Sequence, residues 1–158
     1  MTWESLPDHA RVWVYTADRQ LDDAEVADLT ARLRAFTERW TAHRRELAAH
    51  GEVRHGRFVI LAVDERQAGA SGCSIDASVR FLQGCGRDLG VDFFDRMTFF
   101  ADNGAGYLPY PRDKFAEAYR RGELDDTSPV IDPLVKTKAE LDAAFVKPLA
   151  ESWHARMV

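Results

Sequence analysis

The sequence predicts an α+β fold: one domain over residues 1–158, with a sheet of about four strands, mixed or antiparallel, and helices packed against it. Three observations carry that expectation. Apolar residues recur at helical spacing from Val26 to Trp40, an unbroken apolar run fills residues 58–63, and Asp102-Asn103-Gly104 marks a hairpin turn between strand-like segments. A chain of this length suits one domain and buries roughly two-thirds of its unfolded surface.

Residues 11–16 are β-branched and aromatic and predict a strand. Asp22, with Glu25 three residues on, predicts a helix start. Val26, Leu29, Leu33, Phe36 and Trp40, spaced 3, 4, 3 and 4, share one face of that helix, which is expected to end near residues 41–43. A second strand is expected over residues 52–63. Its apolar end suits a strand covered on both faces, and it closes in Asp64-Glu65. A small-residue loop, 68–72, leads into a second helix with Ile75, Val79, Leu82 and Leu89 on one face and Gly90 as its stop. Gly84 and Gly86 weaken that helix by about 1 kcal/mol each relative to alanine, which close packing against a neighbour would explain.

Residues 93–101 read as a third strand, with residues 106–110 returning beside it. Pro109 and Pro111 confine the returning strand to an edge. A short helix over residues 113–121 stops at Gly122, and Pro129-Val130-Ile131 adds a short strand. Thr137 and Glu140 form a capping box. It opens a terminal helix whose Leu141, Phe145, Leu149, Trp153 and Met157 recur every four residues. Pro148 predicts a kink or break near Val146.

Several function classes are excluded or disfavoured. The net charge of −5 offers no general attraction to phosphate, so no nucleic-acid partner is expected. The longest apolar run is six residues, against the roughly 20 a helix needs to cross a bilayer, so no membrane partner is expected either. Cys73 and Cys85, on one helix, would stand about 18 Å apart at the α-helical rise, too far for a disulfide. With no basic leader followed by an apolar stretch, the reading is cytoplasmic with reduced thiols. The 17 arginines against four lysines are scattered among acidic residues and fit a GC-rich coding bias. None of Lys114, Lys136, Lys138 and Lys147 follows a glycine, which excludes a P-loop. Gly-x-Gly-x-x-Gly after a strand, Cys-x-x-Cys, His-Glu-x-x-His and Gly-x-Ser-x-Gly are all absent. No cofactor is specified and no metal centre is assigned; elemental analysis would test a metal on Asp64, Asp76 and a histidine.

One segment carries chemistry. A central strand ends in Asp64-Glu65, and a small-residue loop then enters a helix at Ser71-Gly72-Cys73-Ser74, with Asp76 following. Ligands bind beyond the carboxyl ends of such strands, and a helix N-terminus favours an anion or a thiolate. The expected function is a module that binds a small polar or anionic ligand at the loop–helix junction 68–76. Asp64, Glu65, Ser71, Gly72, Ser74, Asp76, Asp95 and Arg96 are its candidate ligand-binding residues. Two alternatives stand beside it. Cys73 could act as a nucleophile with His43 or His154 as base, or the chain could be a non-catalytic structural homodimer. The bland reading of the same segment is a helix capped by Ser71 or Ser74, with Cys73 packed as a small apolar group and Asp76 offsetting the dipole. Asp95-Arg96, inside an otherwise apolar run, reads as a sheet-face ion pair or as part of a pocket shared with Asp64.

The same residues resemble those of a group of small bacterial proteins of about this length, often labelled "ABC transporter ATPase". The resemblance rests on Trp40-Thr41-Ala42-His43, Val63-Asp64-Glu65, the string from Ala70 through Ser71-Gly72-Cys73-Ser74-Ile75-Asp76 to Val79, Phe94-Asp95-Arg96, and Ser152-Trp153-His154. It implies membership and a shared polar pocket, but brings no reaction with it. The ATPase label conflicts with the missing P-loop.

Overall fold

The computed structural model describes residues 2–66 and 68–158. The chain is α+β, with four α-helices and three antiparallel sheets among these residues. It divides into two compact units: Met1–Asp95 with Leu134–Leu141, and Arg96–Pro133 with Asp142–Val158.

The first unit is built on a three-stranded sheet ordered β1-β5-β4, from β1 (Arg11–Thr16), β4 (Ala48–Arg54) and β5 (Phe58–Asp64). All seven residues of β5 are buried, as its apolar run requires. The expected single strand over 52–63 is in fact a hairpin of β4 and β5. His55 and Gly56 turn the chain with positive φ, so residues 52–54 belong to β4. α1 (Asp23–Arg39) opens on a complete Asp22/Glu25 capping box, and its Leu29, Leu33 and Phe36 are buried in the core. A side chain at Gly51 would press on Leu33 Cβ at 3.3 Å, so this glycine lets α1 lie close on β4.

α1 ends one turn earlier than expected. Trp40 turns extended, and Thr41–Ala42 (β2) and Arg45–Glu46 (β3) make a two-stranded hairpin whose turn residues, His43 and Arg44, both have positive φ. α2 (Gly72–Leu89) follows, with Ser71 as N-cap and Gly90 in the left-handed conformation at its end. Its buried line is Ser74, Ser78, Leu82 and Cys85, so the small side chains face inward and Ile75 and Val79 lie half-buried beside them. Phe36 of α1 stacks on Phe81 of α2 at 4.4 Å. The start of β1 is covered on its outer side by residues 136–138, through Val12 N–H to the Lys136 carbonyl at 2.9 Å and a bridge between Arg11 and Thr137.

The second unit holds the one four-stranded sheet, ordered β7-β6-β8-β9, from β6 (Thr98–Asp102), β7 (Tyr107–Pro111), β8 (Pro129–Ile131) and β9 (Val146–Pro148). β7, with its two prolines, is an edge strand as expected. Phe99, Phe115 and Leu149 lie in this unit's core, with Phe115 contributed by α3 (Arg112–Arg120). The terminal helix breaks where Pro148 predicts. α4 (Lys138–Ala144) stops, residues 146–148 become β9, and 3-10 turns at Leu149–Glu151 and Trp153–Met157 follow. No helix is long and apolar enough to cross a membrane among the described residues.

Candidate functional site

Two segments far apart in sequence meet at the carboxyl end of β5. Trp40 Nε1 donates to the Ser74 carbonyl at 2.9 Å, and Ser74 Oγ donates to the Thr41 carbonyl at 2.8 Å. Because the Ser74 proton goes to Thr41, the 2.8 Å contact between the two serine hydroxyls is Ser71 donating to Ser74. Each serine also accepts the other's backbone N–H, Ser74 N to Ser71 Oγ at 3.1 Å and Ser71 N to Ser74 Oγ at 3.2 Å. The capping reading of Ser71 and Ser74 therefore holds. It also leaves something open. The Ile75 amide bonds the Ser71 carbonyl, but the Gly72 and Cys73 amides meet no acceptor among the described residues. Both residues are exposed, and a Cβ at Gly72 would touch nothing within 4 Å.

β5 delivers its two carboxylates beside this helix end. Asp64 is buried, with a side chain 8% exposed, and accepts from Arg66 Nη2 at 2.6 Å and from Arg66 Nε at 3.0 Å. The Arg66 backbone N–H also bonds Asp64 Oδ1, at 3.1 Å. Arg66 holds the Asp64 carboxyl below its usual range against the opposing pull of burial. The guanidinium is 60% exposed, so the pair presents cationic N–H groups to solvent on a buried anchor. Glu65 is exposed and accepts the Ala70 amide at 3.0 Å, which makes the strand end and the residue before the N-cap neighbours. Ala48 pairs with Asp64, and Leu47 N–H bonds the Trp40 carbonyl at 2.8 Å, which seats the β2–β3 hairpin at this end of the sheet.

The structure thus ties Glu65 to Ala70 at the start of α2 and Ser71 to Ser74 within it, with Asp64 one residue before Glu65, Gly72 and Cys73 exposed between the serines, and His43 exposed at the turn of the attached hairpin. His43 is not at a helix end, and no hydrogen bond joins it to Cys73 among the described residues. Asp76 is exposed on the second turn of α2 and does not offset the dipole from the first. Asp95 and Arg96 lie in a connection rather than a strand, since β6 begins only at Thr98. The Asp95 N–H donates to the Thr16 carbonyl at 3.2 Å, and Thr16 pairs with Phe58. Asp95 therefore sits at the opposite end of β5 from Asp64, a strand length of about 20 Å, and the two share no pocket. Arg96 is exposed and opens the second unit.

His154 belongs to the second unit and is fully buried. Its ring stacks on Trp153 at 3.8 Å and meets Phe99 edge-on at 5.3 Å, while Nδ1 is 2.6 Å from Ser152 Oγ. Nε2 has no partner among the described residues. Burial pushes the imidazole down to about 4. A sealed, neutral ring of this kind is poorly placed to serve an exposed cysteine as base. Cys73 is exposed, so it does not pack as a small apolar group, and Cys85 is buried, both with free thiols. No group of three His, Cys, Asp or Glu side chains able to hold a metal ion is found among the described residues.

Sequence reasoning missed Arg66, Trp40 and Thr41 as parts of the site. Asp64-x-Arg66 at a strand end carried a readable signal, because an aspartate that accepts the amide two residues on makes a turn of its own. No family model matches the chain, and no curated protein or solved structure is significantly similar to it.

Proposed function

We propose that this protein binds a small anionic ligand at the junction of β5 and α2, as a binding module rather than a catalyst. The carrying observation is the pair of amides, Gly72 and Cys73, that meet no acceptor among the described residues at the N-terminus of an 18-residue helix, with the solvent-facing guanidinium of Arg66 on the strand end that Glu65 ties to Ala70. Backbone donors and the helix dipole favour negative charge there. Arg66, whose Nε and Nη2 already hold Asp64, offers its remaining exposed N–H groups to carboxylate or phosphate oxygens. No base is hydrogen-bonded to Cys73 among the described residues, which favours binding over nucleophilic catalysis. A reducing compartment suits the free thiols, and the cytoplasm is part of this proposal.

The test is an amide NMR titration with inorganic phosphate and with a nucleoside monophosphate. Saturable shifts are expected at the Gly72 and Cys73 amides. Gly72→Pro removes one donor at the first helical position, where proline is tolerated, and the extended Ser71 before it accepts a proline. This variant should fold normally and bind at least about tenfold more weakly, a loss of roughly 1.4 kcal/mol. Shifts confined to other surfaces, or equal affinity in Gly72→Pro, would overturn the proposal.

A second reading has one specific support: the hairpin that carries His43 is fastened through Thr41 to Ser74, the neighbour of Cys73. If Cys73 is a nucleophile, a substrate-like electrophile will label it with a pH profile that His43→Gln shifts. An unchanged profile removes that reading.

A further inference from the structure

The two outer edges of the first unit's sheet are treated differently. The β1 edge is covered by the chain at both ends, by residues 136–138 at its start and by the Thr16–Phe94 bridge and the Asp95 N–H at its finish. The β4 edge instead borders a cleft of about 550 Å³, within the usual range for ligand sites. Its lining includes the continuous run of residues 47–52, of which residues 48–52 belong to β4. One wall comes from α1, with Thr30, Arg34, Thr37 and Glu38, and the other from residues 2–4. α1 packs on the sheet face that holds Gly51. Trp3 packs on the opposite face, 6.2 Å from the His50 ring and 4.9 Å below the Arg54 guanidinium. The cleft therefore runs along the sheet's edge strand, with lining residues on each face of the sheet.

We propose that this cleft receives an extended peptide, which adds to β4 as a fourth strand. An edge strand turns alternate backbone N–H and C=O groups outward, and such groups are either blunted or used. β4 has no proline to blunt it. The rim fixes the charge of the occupant. Glu52 is already shared between His50 at 2.9 Å and Arg54 at 2.8 Å. Among the described residues the remaining rim charges are two exposed carboxylates, Glu4 and Glu38, against one guanidinium, Arg34, none of them in an ion pair with another described residue. That balance suits a peptide with net positive charge, its backbone pairing with β4 and its basic side chains reaching Glu4 and Glu38. This site is separate from the one at α2, and neither proposal depends on the other.

Selection of random peptides of about eight residues against the full chain tests it, since that length matches the seven residues of β4. Enriched peptides should carry Lys or Arg at alternate positions and should slow amide exchange within residues 48–52. N-methylation at alternate peptide amides should abolish binding in one parity and leave it in the other. Glu4→Lys with Glu38→Lys, both at exposed positions, should keep the fold by circular dichroism and weaken binding at least about tenfold. No enrichment, protection elsewhere on the chain, or binding indifferent to N-methylation and to the charge reversal would each overturn the proposal.

Discussion

Gly84 and Gly86 lie on the same helix and cost it the same intrinsic propensity, yet their surroundings differ. A Cβ on Gly86 would run into the backbone carbonyl of Val91, which cannot swing aside as a side-chain tip could. The Val91 N–H is bonded to the Gly86 carbonyl at 2.9 Å, so the chain doubles back tightly over this residue as α2 ends. A Cβ on Gly84 would meet only the mobile end of Arg87, at 3.7 Å. Gly84→Ala is therefore expected to raise stability by about 0.5–1 kcal/mol. Gly86→Ala is expected to lower it by about 1–3 kcal/mol, the usual range for overpacking against an unyielding neighbour. Urea denaturation of the two variants checks both signs. Two losses of equal size would show that helix propensity and packing had been wrongly separated.

The N-terminus of α2 and the β2–β3 hairpin behave as one element, because the Ser74 hydroxyl accepts from Ser71 and donates to Thr41. Ser71→Ala removes the cap on the Ser74 amide and should cost about 1 kcal/mol. Ser74→Ala deletes the buried link as well and should cost about 2 kcal/mol. Their effects should not add, since both act on one hydrogen-bonded chain; a double-mutant cycle is expected to show a coupling of at least about 0.5 kcal/mol. Strict additivity would mean that the cap and the hairpin attachment are independent. The cap was legible in the sequence because Ser71-x-x-Ser74 precedes an apolar helix. The hairpin was not. Thr41-Ala42-His43-Arg44-Arg45-Glu46 has only Thr41 as a strand-favouring side chain and no glycine to announce its positive-φ turn, and it is held by contacts to a helix some 30 residues on. The same gap hid Trp40 and Thr41 as parts of the site, because periodicity reports faces and not partners.

Across the whole molecule, elements defined by local chemistry were readable: the Asp22 and Ser71 caps, the Gly90 stop, the edge placement of Pro109 and Pro111, and the break near Val146. The distribution of strands over three sheets was not, since no local pattern says which strands pair. Nor did it show that the Ser-Trp-His string at 152–154 builds a buried aromatic stack. That stack contributes to how the chain's stability responds to acid. The His154 imidazole falls to about 4 in the folded protein, below its ordinary 6.5, because burial disfavours its charged form. Between those values the unfolded chain holds a proton that the folded one does not, so stability must fall as pH drops below 6.5 and the loss must level off near 4. The slope expected from this one group is up to about 1.4 kcal/mol per pH unit. His55, also lowered by burial, acts in the same direction, so the wild-type curve alone does not isolate His154. His154→Phe keeps the stack on Trp153 and the edge contact with Phe99 while removing the titrating group. Its urea midpoint measured from pH 7 to 4.5 is expected to decline distinctly less steeply than that of the wild type. Parallel declines would assign the acid sensitivity to His55 and the carboxylates instead.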